Sequence, residues 1–95
     1  MSAPSPQEQL SLTSRIRHRM VDDEGVLVHL ESDRVIVVNE VGLYIVQQLA
    51  TPKTRRGLAT SIADHFDVEL EQAASDLELY IAELDKEQVL EHHYV

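Results

Sequence analysis

At Asn39 the spacing of the apolar residues changes, and this change divides the chain into two differently patterned parts. Before Asn39, apolar residues such as Val26, Val28 and Leu30 recur at every second position, which is typical of a half-buried strand. After it they recur at every third or fourth position, as in an amphipathic helix. The sequence therefore predicts a sheet followed by a helical unit, and 95 residues fit one such domain.

Three strands and three helices are predicted from these patterns. The strands form an antiparallel meander and cover Ile16–Met20, Val26–Leu30 and Arg34–Val38. The first two helices follow Asn39 and Thr54, whose side chains can cap a helix N-terminus, and a longer third helix begins at Asp67 or Glu69. The predicted fold class is α+β with the order βββααα, and its parts are those of a winged helix-turn-helix domain.

The two ends of the chain show no periodic pattern. Residues 1–13 are rich in Ser, Pro and Gln, so we expect a disordered tail, then a peptide-binding domain over residues 14–91 and a frayed C-terminus at 92–95. The first turn of the meander covers Asp22-Asp23-Glu24-Gly25, where Gly25 is free to take a positive φ.

Charge and composition exclude several classes of partner. The net charge is −9, and residues 61–95 hold ten acidic side chains against Lys86 alone, which disfavours nucleic acid and anionic membranes. There is no apolar run of the ~20 residues that span a bilayer and no signal-peptide pattern at the N-terminus. We expect a cytoplasmic protein that contacts neither nucleic acid nor membrane.

No arrangement of catalytic or metal-binding residues is apparent. The chain has no cysteine, its three glycines are isolated, and no serine lies in a G-x-S-x-G context. His92 and His93 are adjacent, so in regular structure they point apart and make a poor chelate. The sequence predicts no enzyme, no cofactor and no metal site.

The third predicted strand is unusual for a strand at a sheet edge. Four consecutive β-branched residues, Val35 to Val38, make it apolar on both faces, whereas natural edges usually carry charge, proline or a bulge. Two interpretations follow: helices cover the strand and it is core, or it is a docking edge for an extended peptide. An acidic third helix beside it would favour a basic or neutral peptide.

Several short motifs, taken in order, resemble the PqqD-like family, the recognition elements of ribosomally synthesised and post-translationally modified peptides (RiPPs). The resemblance extends from Ile16 to Leu90. Three groups of residues match the family pattern, in chain order. They are Val38-Asn39-Glu40 with Gly42 and Leu43-Tyr44-Ile45-Val46, then Leu49, Ile62, His65-Phe66 and Asp67-Val68, and finally Asp76-Leu77, Tyr80-Ile81 and Leu84. The chain departs from the family pattern at Gln88-Val89-Leu90, which lacks the usual glycine, and in a shortened turn at Ser32-Asp33-Arg34.

This resemblance implies a non-catalytic protein that binds the leader of a precursor peptide and presents it to a maturation enzyme. It implies that the leader adds as a strand to the third predicted strand and packs against the third helix. The expected peptide-binding residues are Arg34, Val35, Ile36, Val37, Val38, Asp76, Leu77, Tyr80, Glu83 and Leu84. Val35 and Val37 are expected to line the groove while Ile36 and Val38 face the helices, and the opposite parity stays open.

The sequence leaves open which enzyme is the partner, and it allows two alternative functions. A lasso-peptide leader peptidase is favoured, because short members with Gly42 three residues after the asparagine resemble that group, and a radical-SAM enzyme is next. One alternative is a winged-helix regulator that binds or mimics DNA. The other is a module that dimerises through its third strand.

Overall fold

The computed structural model describes residues 8 to 94, which form five strands and three helices. In chain order the elements are β1 (Glu8–Leu12), β2 (Ile16–Val21), β3 (Glu24–His29), β4 (Arg34–Val38), α1 (Glu40–Gln48), α2 (Arg55–Phe66), α3 (Leu70–Lys86) and β5 (Leu90–Tyr94). β2, β3 and β4 form an antiparallel sheet in that order, and β1 pairs separately with β5. The predicted α+β class, the three-stranded antiparallel sheet and the three helices are confirmed.

The two terminal strands correct the predicted domain boundaries. The expected disordered tail is wrong for residues 8–12, which form β1, and the expected frayed end is wrong for residues 92–94, which belong to β5. β1 is held to the fold by Leu10, which is fully buried and exchanges backbone hydrogen bonds of 2.7 and 2.9 Å with Lys53. Residues 1–7 and Val95, which those predictions also covered, lie outside the described residues.

The core lies between the helices and one face of the three-stranded sheet. Asn39 and Thr54 cap α1 and α2 as predicted, since their side-chain oxygens accept hydrogen bonds from the backbone N–H groups of Gly42 and Gly57. The largest fully buried side chains are Leu10, Leu27, Ile45, Val46, Leu49, Leu58, Leu77 and Val89. None of the helices within residues 8 to 94 is long and apolar enough to cross a membrane.

Gly25 has a different role from the one expected at the first turn. Asp22 and Asp23 make the turn between paired Val21 and Glu24, and Asp22, with a φ of 57°, takes the left-handed conformation. No glycine among the described residues has a positive φ, so the turn does not use the conformational freedom of Gly25.

The space around Gly25 explains why a glycine stands in the middle of the sheet. A Cβ atom there would come within 2.8 Å of a Leu43 methyl group on α1 and of a Val38 methyl group on β4. Such a separation is shorter than carbon–carbon contact allows. Gly25 therefore lets α1 lie directly on the sheet at the β4 end, where the chain enters the helix.

A charged cluster ties the β1–β5 ribbon to the helices. Glu8 on β1 accepts hydrogen bonds from Arg55 on α2 at 2.6 Å and from His92 on β5 at 2.7 Å. The other ring nitrogen of His92 lies 2.7 Å from Asp85 on α3, so the protonated ring donates to both carboxylates. Asp85 and then Glu8 raise the pKa of His92, while Arg55 and then His92 lower the pKa of Glu8 to about 2.

Protonation of His92 is expected to stabilise the ribbon in a pH-dependent way. Because the pKa of His92 is higher in the folded protein, protonation of its ring stabilises the fold fully below the unfolded-state pKa of about 6.5. This stabilisation is lost as the pH rises through the folded-state pKa of His92. We expect His92→Gln to lower the free energy of unfolding by about 0.5–1 kcal/mol at pH 5.5, because the groups are partly exposed. Thermal melts of both proteins between pH 5.5 and 9 should show the difference shrinking with pH.

The exposed His18 provides the matched control, because its side chain joins no hydrogen bond or ion pair among the described residues. His18→Gln should leave the melting temperature within about one degree of the wild type across the range. A His92→Gln deficit that stays constant or grows toward pH 9 would contradict the assigned role of the imidazolium. Glu8, with a pKa of about 2, stays ionised throughout this window.

Candidate peptide-binding groove

β4 is an edge strand of the three-stranded sheet. It pairs with β3 on one side, and within residues 8 to 94 no strand pairs with its other side. The strand is five residues long and carries no proline or bulge that would block pairing. The structure therefore presents the open, apolar edge that the sequence predicted.

The pairing pattern shows which residues of β4 direct their backbone groups to this open edge. In an antiparallel sheet, alternate residues of a strand bond to opposite neighbours. Leu30 donates its N–H to the carbonyl of Arg15 at 2.8 Å, on the β2 side, so the odd-numbered residues of β3 face β4. Their register partners on β4 are Arg34, Ile36 and Val38. The N–H and C=O groups of Val35 and Val37 consequently point away from the sheet.

The side chains of β4 divide between the two faces of the sheet. Ile36 and Val38 are half-buried and pack against the core, as expected from the sequence. Val35 and Val37 lie on the opposite face and are 63% and 58% exposed. Val37 borders a groove, whereas the side chain of Val35 lies on the face away from the helices, and its part in the peptide site stays a prediction.

A groove lies between β4 and α3. Its main part has a volume of about 440 Å³ and is lined by Ile36, Val37, Val38, Asn39, Tyr80, Glu83, Leu84 and Glu87. A second hollow of about 390 Å³ is lined by Val41, Asp76, Leu79, Tyr80 and Glu83. Because the two share Tyr80 and Glu83, we treat them as one feature, the β4–α3 groove. Its length along α3 suits an extended peptide.

Two sets of polar contacts brace this groove. Arg34 at the start of β4 donates to the backbone carbonyl of Glu87 at 3.0 Å and to its carboxylate at 3.2 Å. The Tyr80 hydroxyl donates to Asn39 Oδ1 at 2.9 Å, and the same oxygen accepts the N–H of Gly42. The cap of α1 thus also orients Tyr80, so the aromatic ring is held in place before any peptide binds.

The groove is acidic along α3. Glu83 is exposed, and Asp76 accepts a hydrogen bond from Gln72 at 2.9 Å. Neither carboxylate lies within 4 Å of a basic side chain among the described residues, whereas Glu87 is paired with Arg34. Two uncompensated negative charges at the rim therefore favour a basic side chain in the groove.

The groove does not include every residue that the sequence singled out. Leu77 is fully buried in the core and faces α2, so its assignment to the peptide site is wrong. Leu84 is 3% exposed and contributes only to the floor. Four lining residues were missed: Asn39, Val41, Leu79 and Glu87. Of these four, Leu79 could have been recognised from the sequence, because it is an apolar residue outside the buried stripe of α3. Its side chain is 69% exposed.

Three solved structures share this fold. One is described as TbiB1 in complex with the TbiA(beta) leader peptide, with 23% identity, a TM-score of 0.75 and coverage of 85% of this chain and 94% of that chain. A lasso peptide synthetase B1 complexed with the leader peptide has 21% identity, a TM-score of 0.72 and coverage of 86% and 96%. At these identities the likeness is one of fold.

The third is the PqqD truncation of Methylobacterium extorquens PqqCD, described as a functional and stand-alone RiPP recognition element, with 19% identity, a TM-score of 0.73 and coverage of 87% and 88%. No curated protein sequence matches the chain. The family model described as coenzyme PQQ synthesis protein D (PqqD) matches residues 24–90, which include β3, β4 and all three helices. Because this match covers more than two thirds of the sequence, the chain belongs to the PqqD family.

Proposed function

We propose that this protein binds the leader of a RiPP precursor as an added strand on β4 and holds it for a maturation enzyme. The observation that carries the proposal is the open backbone edge of Val35 and Val37 beside an apolar groove. Two structures of the same fold are described as complexes with leader peptides, which supports a peptide as the partner. The role is one of binding and presentation, without catalysis.

Backbone pairing supplies the affinity in this mode of recognition. The leader strand exchanges hydrogen bonds with Val35 and Val37 and so extends the sheet by one strand. Because side chains alternate along a strand, every second leader residue turns into the β4–α3 groove. There it meets the apolar side chains of Ile36 and Val38 and the ring of Tyr80, whose hydroxyl is already bonded to Asn39.

Side chains on α3 supply selectivity. Backbone pairing accepts many sequences, so the groove must distinguish leaders by the shape and charge of the inserted residues. The free carboxylates of Asp76 and Glu83 favour a leader with a lysine or arginine near the Tyr80 end. A leader with acidic residues at these positions would meet like charges and bind more weakly.

The partner enzyme is proposed to be a lasso-peptide leader peptidase, with a radical-SAM enzyme as the second choice. A lasso peptide synthetase B1 among the structures of the same fold supports the first, and the PqqD truncation supports the second. The proposed place of action is the cytoplasm, where ribosomes make the precursor. Genes for a short peptide and one of these enzymes beside this chain's gene would distinguish the two.

A DNA-binding or DNA-mimicking regulator is the second candidate, because a small sheet beside three helices has the parts of a winged helix-turn-helix domain. That likeness stays a prediction. The helix that would enter the major groove is α3, which carries Glu71, Asp76, Glu78, Glu83 and Asp85 against Lys86 alone. Its charge opposes contact with phosphates.

Direct binding measurements are expected to separate these candidates. A fluorescent synthetic leader, taken from the precursor encoded beside this chain, should bind with a dissociation constant between about 1 nM and 1 μM, or roughly −12 to −8 kcal/mol. Duplex DNA should show no binding at physiological salt, and salt-sensitive retention of DNA at micromolar protein would favour the regulator. Sedimentation of the free protein tests the dimer, which strand pairing at β4 would produce without leader.

Proline substitutions along β4 are expected to separate folding from binding. Val35→Pro and Val37→Pro remove N–H groups that face solvent in the free protein, so both variants should stay folded. Their leader affinity should fall by at least about 1–3 kcal/mol, through a lost hydrogen bond and a blocked approach. Ile36→Pro removes a bond to β3 and should unfold the domain. Circular dichroism and fluorescence anisotropy measure the two effects.

Val37→Thr is the matched control, because it keeps both the β-branched side chain and the N–H group. Its leader affinity should stay within about threefold of the wild type. If Val35→Pro and Val37→Pro are both folded and bind leader normally, the leader does not add at this edge. Folded Ile36→Pro without binding would instead mean that the pairing parity deduced above is inverted.

Neutralising the rim carboxylates is expected to weaken a basic leader. Asp76→Asn with Glu83→Gln should cost about 0.5–2 kcal/mol in leader binding and flatten its salt dependence, since rim charges are screened. Glu71→Gln with Glu91→Gln makes the same change of net charge at exposed positions outside the groove and should have little effect. Leader affinity is measured by titration at 50 and 300 mM salt. Equal losses of affinity in the two double variants would indicate that the overall negative charge of the protein, and not the groove, attracts the leader.

A further inference from the structure

A second hollow, of about 250 Å³, follows the seam where α2 and α3 pack side by side. It is lined on α2 by Arg55, Arg56 and Ala59, and on α3 by Leu70, Ala74 and Glu78. Leu70 is 47% exposed although it is a large apolar side chain. The hollow shares no lining residue with the β4–α3 groove, because it lies on a different side of α3. We call this surface the α2–α3 seam.

The charges at the ends of the seam are arranged diagonally. The two helices run antiparallel, since Arg55 in the first turn of α2 donates to Glu78 on α3 at 2.6 Å, while a short turn joins the helices at the other end. Arg56 therefore lies at one end of the seam on α2, and Glu71 lies at the opposite end on α3. A two-fold axis through the middle of the seam exchanges diagonal corners. It brings Arg56 of each copy beside the partner's Glu71.

Neither of these corner charges is paired within residues 8 to 94. Arg56 and Glu71 are exposed, and neither lies within 4 Å of an opposite charge there. Arg56 also stands in the first turn of α2, which has no acidic residue among its own. The helix dipole disfavours a cation in this position. A carboxylate supplied by another molecule would therefore stabilise this end of α2.

Apolar and small side chains lie between the two corners. Ala59 and Ala74 leave the middle of the seam shallow, so that a second pair of helices can approach closely. The same two-fold axis moves Leu70 from the turn end on α3 to the Arg55 and Arg56 end of the partner's α2. There the leucine meets the apolar stems of the two arginines. The seam is thus complementary to itself in both charge and shape.

The size of the seam sets the strength of such an association. α2 has 12 residues, or about 18 Å, and two adjacent helices are about 20 Å wide, which gives a face of roughly 360 Å². A stable interface needs about 800 Å² from each partner. The net charge of −9 on each copy also opposes association. We therefore expect a weak dimer, with a dissociation constant of about 10–200 μM.

We propose that two copies of this protein associate through the α2–α3 seam, about a two-fold axis that pairs Arg56 of each copy with the partner's Glu71. The β4 edge and the β4–α3 groove stay open in this dimer, because they lie away from the seam. One dimer therefore offers two separate β4 edges to peptides. The association does not depend on leader binding.

Sedimentation equilibrium of the full chain, from about 10 to 500 μM, tests this dimer. Wild-type protein should show a monomer–dimer equilibrium over this range. Arg56→Glu and Glu71→Arg each place two like-charge pairs in the interface, so each should weaken dimerisation at least about tenfold. Arg56→Glu combined with Glu71→Arg restores both pairs with reversed sign. This double variant should dimerise within about threefold of the wild type.

Two variants outside the seam are the controls. Arg17→Glu makes the same change of net charge as Arg56→Glu at an exposed position on β2, and it should dimerise like the wild type. Val37→Pro, which blocks pairing at β4, should also leave the dimer intact. Thermal melts confirm that each variant is folded. Leader affinity of Arg56→Glu, measured by fluorescence anisotropy, should stay within about twofold of the wild type.

Other results would overturn the dimer at this seam. They are a wild-type monomer at 500 μM, a double variant that stays monomeric, or a dimer that Val37→Pro abolishes, which would assign the association to the β4 edge. Binding of the maturation enzyme to monomeric protein, lost in Arg56→Glu but kept in Arg17→Glu, would assign the seam to that enzyme. Failure of wild-type protein to bind leader would instead overturn the proposed function and leave the dimer standing.

Discussion

Within residues 8 to 94, strand pairing satisfies the backbone groups of β4 on one side, through β3, and leaves the other side open. α3 packs on α2 through Leu77 and neighbouring residues, which leaves a groove of about 440 Å³ between it and β4. The contacts of Arg34 with Glu87 and of Tyr80 with Asn39 tie α3 to the two ends of β4. They fix the position of α3 relative to the strand, so the groove belongs to the folded structure.

The sequence could predict those parts of the fold that local patterns specify. Asn39 and Thr54 cap their helices as expected, because a side-chain oxygen before an apolar periodic segment is a local signal. β1 and β5 were not predicted because their pairing joins residues about eighty positions apart, from Leu12 with Leu90 to Glu8 with Tyr94. Their strands are mostly polar, and each is fixed by a buried leucine, Leu10 and Leu90. Such non-local pairing leaves little trace in either segment alone.

The candidate site could be predicted as a region but not in its details. Four β-branched residues in succession make β4 apolar on both faces, so hydrophobic alternation gives no parity for Val35 to Val38. The structure sets the parity through two turns: Asp22 and Asp23 fix the β2–β3 register, and the turn between His29 and Arg34, closed by the Asp33 N–H on the His29 carbonyl at 2.8 Å, fixes the β3–β4 register. Leu77 was misassigned because α3 buries its central stripe against α2, which helical periodicity alone does not show.

β4 is apolar on both faces, and in the proposed function its backbone edge and the side chains around it make different contacts. In the proposed function its backbone edge pairs with an extended chain of almost any sequence, so that discrimination between leaders is assigned to α3, where Asp76, Tyr80 and Glu83 border the groove. Its outward valines, Val35 and Val37, are more than half exposed, and Val37 also borders the groove. Under the proposed function, substitutions on α3 then change which leader is bound while the backbone pairing along β4 is kept.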